Sequence, residues 1–216
     1  MKKIFATIFI SSIFFISVVY AQQIELARFK YVFTGNDRTF VITEDNRLFG
    51  FGKNVACSLG APSNQLEIRT PRYIMSGVSY VSISSGATFI LKTDGTLWYM
   101  GVNWGIFNDL IDSYYNHSDY SEPVKIANNV KHISAGEITG HSLIVKTDNT
   151  LWGWGFNNYK QLGFASFNPN YAENPFQHLM DNVIYATAAG DCSFVIKTDY
   201  SLWGMGDNWV WTNGTR

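Results

Sequence analysis

One phrase, written four times, constrains this chain more than any other feature. It reads KTDGTLWYMG from Lys92, KTDNTLWGWG from Lys146 and KTDYSLWGMG from Lys197, with a weaker copy, TEDNRLFGFG, from Thr43. Aligned on Leu48, Leu97, Leu151 and Leu202, the copies stand 49, 54 and 51 residues apart. A period of about fifty residues marks a repeat architecture, in which each unit hides its apolar surface against the next. Other landmarks keep step. Pro71, Pro123 and Pro175 recur 52 residues apart, a valine follows at Val78, Val130 and Val183, and the small-residue runs SISSG, ISAG and TAAG end at Gly86, Gly136 and Gly190.

Within one unit, Phe40-Val41-Ile42, Phe89-Ile90-Leu91, Leu143-Ile144-Val145 and Phe194-Val195-Ile196 are short, continuous apolar runs. Such runs are expected of strands buried on both faces. Each leads into a two-residue reversal. Asp45-Asn46, Asp94-Gly95 and Asp148-Asn149 tolerate the positive φ a tight hairpin demands, whereas Asp199-Tyr200 is the poorest of the set. The returning strand, Leu97-Trp98-Tyr99-Met100 and its counterparts, carries bulky groups on both faces, so it too is placed between layers. Trp98, Trp152 and Trp203, with Phe49 in the first copy, are assigned to the core on that ground. Aromatic residues make up 16% of the chain beside 18 glycines, which suits many short strands separated by tight turns. The chain is therefore expected to be all-β: a radial array of small antiparallel sheets, a β-propeller or part of one. Its blades are placed at roughly 27–77, 78–129, 130–182 and 183–216, the last incomplete.

The first 21 residues differ in kind. Lys2 and Lys3 precede an apolar run from Ile4 to Val19, and Val19-Tyr20-Ala21 suits a signal peptidase. Cleavage after Ala21 would leave 22–216 as a secreted, cell-surface or periplasmic domain with no further membrane attachment; an uncleaved anchor is the alternative, the run being near the lower length limit of a spanning helix. A net charge of -1 offers no basic excess for nucleic acid. Cys57 and Cys192 could pair in an oxidising compartment, stapling the first repeat to the last. That requires Cα atoms within about 7 Å, and two free thiols are the alternative.

The third copy is the fullest: His141-Ser142-Leu143, Asp148-Asn149, Leu151-Trp152-Gly153-Trp154-Gly155, Asn157 and Gln161-Leu162-Gly163. In this register the units resemble the repeat of the regulator of chromosome condensation (RCC1) family, and the resemblance runs through the whole chain after residue 21. It implies RCC1-like propeller blades. The copies are degenerate, with Arg38, Ala87, His141 and Cys192 at the histidine position. The family closes a seven-bladed ring, whereas about four blades are counted here. An open arc, a piece of a longer propeller, or self-association through open blade edges would each reconcile the difference.

Candidate sites fall on the loops between the inner hairpin and the next proline, where a repeated scaffold carries its differences. The loop from Asn103 to Pro123 presents Trp104, Phe107, Tyr114, Tyr115 and Tyr120, and the next presents Phe167 and Tyr171. Rigid aromatics edged by polar groups suit a protein-binding patch, though they could instead pack on their own blade. Asp109, Asp112, His117 and Asp119 have no metal-ligand spacing, and no catalytic or cofactor motif appears. The expected function is an exported, non-enzymatic module that binds a protein or peptide, of the inhibitor or adhesion type. The alternatives are a structural segment of a larger envelope protein and, more weakly, a hydrolase using Asp109 and Glu122.

Overall fold

The computed structural model describes residues 28–102, 119–136, 141–164 and 176–207. Four antiparallel sheets follow one another along the chain. The first holds β1 (Phe29–Gly35), β2 (Arg38–Thr43), β3 (Arg47–Lys53) and β4 (Glu67–Ser76). The second holds β5 (Val78–Ile83), β6 (Ala87–Lys92), β7 (Leu97–Gly101) and β8 (Tyr120–Ala127); the third, β9 (Val130–Ala135), β10 (Ser142–Lys146), β11 (Leu151–Trp154) and β12 (Gln177–Met180). Among the described residues the fourth has three strands, β13 (Val183–Ala189), β14 (Cys192–Lys197) and β15 (Leu202–Gly206). Each sheet packs on the next, and the strands run in sequence order from inside to outside.

The repeated phrase is a hairpin with a built-in brace. In the second sheet the Asp94 carboxylate accepts from Thr96 N (2.9 Å) and Oγ1 (2.6 Å), and the Trp98 indole Nε1 donates to the same threonine oxygen at 2.9 Å. Lys92 lies over the Trp98 ring, its Nζ 5.6 Å from the centroid. Asp148, Thr150, Trp152 and Lys146 repeat the arrangement, as do Asp199, Ser201, Trp203 and Lys197. The first copy has Phe49, which has no indole N–H to satisfy. There Arg47 supplies the cation, 5.7 Å from the ring, and pairs with Asp45 at 2.7 Å. Trp98 and Trp152 are thus at the edge of the core, packed against buried clusters but not enclosed, and Trp203 lies outside it. They stand half-buried, Trp203 more exposed still, because the charged lysine over each ring needs water nearby. The fully enclosed tryptophan of this region is Trp154.

Two alternating faces make the stack. Residues pointing toward the following sheet, such as Phe40, Ile42 and Leu48, meet Val81, Ile90 and Met100 of the second sheet. Phe89, Leu91 and Leu97 likewise meet Ile133, Ile144 and Trp154, and Leu143, Val145 and Leu151 meet Ala186 and Val195. Each such side chain stabilises the fold by about 1.5–3 kcal/mol through burial. Glycine ends the third strand of each sheet because a Cβ on Gly52, Gly101 or Gly206 would run into the carbonyl of Asp37, Gly86 or Asp191, and each has φ near +110°.

The two cysteines do not pair. Cys57 is buried in the 3-10 turn Val55–Cys57 after β3, Cys192 opens β14, and both are free thiols. The second and third sheets stand between them, so the chain cannot bring the sulfurs together without dismantling the stack.

Candidate binding face

All four inner strands, β1, β5, β9 and β13, come side by side, and at one end they enclose a groove of about 450 Å³. It is lined by Phe33, Thr34, Tyr80, the stretch from Val81 to Ile83, Ser134 and Ala135, and the stretch from Ala188 to Gly190. The long connections after β3, β7 and β11 leave the sheets at this same end, whereas the Asp-centred hairpins turn at the other. The small residues of SISSG, ISAG and TAAG are what keep the groove open.

Those residues also tie blade to blade. The inner strands are not hydrogen-bonded as one sheet; instead the Ser82 hydroxyl accepts from Ala135 N at 2.9 Å, and Ser134 accepts from Ala188 N at 3.0 Å. Ser84 donates to the Gly136 carbonyl at 3.1 Å. A line of rings runs beside them: Phe33 to Tyr80 (5.1 Å between centroids), Tyr80 to His132 (5.9 Å) and His132 to Tyr185 (4.3 Å). His132 Nε2 donates to the Ala186 carbonyl at 2.8 Å, which fixes its proton there. Burial holds the imidazole pKa below its ordinary value despite that bond, and burial likewise pushes the Tyr80 phenol up.

A second polar set supports the loops of this end. Asn54 accepts from Leu59 N (2.9 Å) and donates to the carbonyls of Ala61 and Gln65; Asn157 repeats the role with Leu162 N (2.8 Å) and the Phe164 carbonyl (3.0 Å). Thr88 and Ser193 then reach back from the following sheet to the turn carbonyls of Ser58 (2.8 Å) and Gln161 (2.7 Å). His141 lies 2.9 Å from the Ser193 hydroxyl, a spacing also seen between a nucleophile and its base. The chemistry here is different. Ser193 is fully buried and gives its proton to the Gln161 carbonyl, so His141 Nε2–H donates to the serine oxygen and removes no proton from it. Burial lowers the His141 pKa to about 4. Arg38, at the same position in the first sheet, is buried too, with its pKa lowered by desolvation to about 10. It donates to Ser58 Oγ at 2.6 Å and to the Ser84 carbonyl, bridging the first two blades.

Of the aromatic loop residues singled out by sequence, Trp104, Phe107, Tyr114, Tyr115, Phe167 and Tyr171 lie outside the described residues. Tyr120 is described. It opens β8, packs edge-on against Tyr99 at 5.9 Å, and its buried hydroxyl has no hydrogen-bond partner among the described residues. Asp109 also lies outside the described residues, while Glu122 is exposed on β8. No group of three or more His, Cys, Asp or Glu among the described residues could hold a metal ion. Sequence reading missed the ring line and the serine latches. The signal was there: an aromatic or imidazole stands two residues after each of Val78, Val130 and Val183.

This arrangement of small antiparallel blades whose inner strands lie side by side has known counterparts. Residues 130–161 match the model of the regulator of chromosome condensation (RCC1) repeat. Residues 130–161 carry an RCC1 repeat, and the fold is that of RCC1 propellers. Its sequence is 26% identical over 154 residues to the Ultraviolet-B receptor UVR8 of Arabidopsis thaliana, covering 67% of this chain and 33% of the receptor. Prp20p of Saccharomyces cerevisiae superposes with a TM-score of 0.71 at 18% identity, over 85% of this chain and 45% of that one. Human WBSCR16 superposes at 0.65 with 21% identity, over 83% and 47%. The chain thus spans between a third and a half of the length of these relatives. At such identity the structural likeness concerns the fold.

Proposed function

We propose that this RCC1-repeat chain is an exported, non-enzymatic binding module that takes a protein or peptide segment at the groove end of its inner strands. One observation carries the reading: the groove formed by all four blades opens at the end from which the long, dissimilar loops leave. A scaffold of equivalent blades puts its differences there, and a peptide-sized groove beside variable loops suits recognition. The relatives agree in kind. Yeast RCC1 (Prp20) is described bound to Kap60 and in terms of its binding to Gsp1p and histones, and UVR8 is named a receptor. Export rests on Lys2, Lys3 and the apolar run to Val19. A hydrolytic role finds no positioned pair: Ser193 and His141 are buried with their protons committed.

The test is recovery of a partner from the producing cell's envelope and medium. Ala189→Arg, which fills the groove mouth, and Trp104→Ala with Tyr114→Ala and Tyr115→Ala in the loop are each expected to lower recovery at least tenfold with thermal melting unchanged. Undiminished recovery by both variants would refute a partner site at this end. A second reading, a structural repeat segment of a larger cell-surface or envelope protein, is favoured by the exposed apolar residues on the outer faces of the first and fourth sheets.

A further inference from the structure

Each blade of this chain has a leading face and a trailing face, and they are used as a matched pair at all three internal junctions. At the two ends the pair is split. On the leading face of the fourth sheet, Phe194 is 44% exposed and Leu202 69% exposed, whereas their counterparts Phe40, Phe89 and Leu143, and Leu48, Leu97 and Leu151, are all buried. On the trailing face of the first sheet, Val32 is 65% exposed; its counterparts Val81, Ile133 and Ala186, placed by the same pairing opposite Ile90, Ile144 and Val195, are buried. Apolar residues exposed at positions whose counterparts in the other blades are buried mark an interaction site.

We infer that a second copy of this chain covers both faces, the leading face of the fourth blade in one copy receiving the trailing face of the first blade in the other. The occupant follows from complementarity already realised in the molecule, since these are the two halves of a junction made three times within the chain. The polar latch supports the same register. The hydroxyl positions Ser82 and Ser134, each receiving a backbone N–H from the next blade, correspond to Thr187 in the last, and the donors Ala135 and Ala188 correspond to Thr34 in the first. Two copies related by a two-fold axis along the groove would close a ring of about eight blades, within the range propellers adopt. The inference stands on the fold alone and is independent of what the groove binds.

The measurement is solution mass by light scattering on the chain from residue 22, at tens of micromolar. A dimer is expected. Leu202→Glu and Val32→Glu, both at exposed positions and checked for intact sheet structure by circular dichroism, are each expected to halve the mass. A monomeric parent chain would overturn the inference and assign the faces to further blades instead. A dimer broken by Leu202→Glu but not by Val32→Glu would overturn it equally, since two leading faces would then be meeting each other.

Discussion

At the residue scale, the repeated phrase owes its form to one carboxylate. Asp94, Asp148 and Asp199 are held below the ordinary carboxylate pKa, first by the hydroxyl of the Thr or Ser two residues on and then by its backbone N–H. That same oxygen accepts the indole proton, so lysine, aspartate, hydroxyl and tryptophan recur together. The weak point is Tyr200, which adopts φ 63° where the first and third copies have Asn46 and Asn149. Tyr200→Asn is expected to stabilise the chain by about 0.5–1 kcal/mol, read as a raised urea midpoint, because asparagine tolerates the left-handed region that tyrosine resists. His141 gives the fold an acid limit. Its folded pKa of about 4 lies below the ordinary histidine value near 6.5, so the unfolded chain binds the proton first as pH falls. Its contribution is complete above pH ~6.5 and is lost progressively toward pH ~4. Between pH 7 and pH 5 the loss is expected to be on the order of 2 kcal/mol. His141→Gln should shrink that loss, and pH 5 lies above the range in which the three aspartates begin to matter.

At the scale of the element, strands and hairpins were readable because their constraints are local. An apolar triplet, an Asp-centred reversal and a glycine needing positive φ are each written within about ten residues, and sheets with these turns resulted. What was less readable is what depends on neighbours. Recurrence in bulky strands points the tryptophans to the core, yet whether such a residue faces the next blade or the rim is decided by register between sheets. The groove depends on that register too: the small residues before Gly86, Gly136 and Gly190 were visible, but the fact that Ser82 and Ser134 bind the following blade was not. Asn54 and Asn157 show the reverse case, in which one side chain organises a turn from residues up to eleven positions away. Removing such an amide would leave buried backbone groups unpaired, which explains why the residue recurs two positions after the strand-ending glycine.

At the scale of the molecule, each blade is dry only because it leans on the next. Protection against exchange with solvent should therefore follow position in the stack and not strand composition. The most direct test is amide hydrogen exchange read strand by strand on the chain from residue 22. The central hairpins β6–β7 and β10–β11 are predicted to exchange slowest and together, opening only with global unfolding. β1 and β15, which carry the uncovered faces, should exchange faster under dilute conditions. Uniform protection across all four sheets in a dilute monomer, or fast exchange through Ala87–Lys92 and Ser142–Lys146, would contradict it.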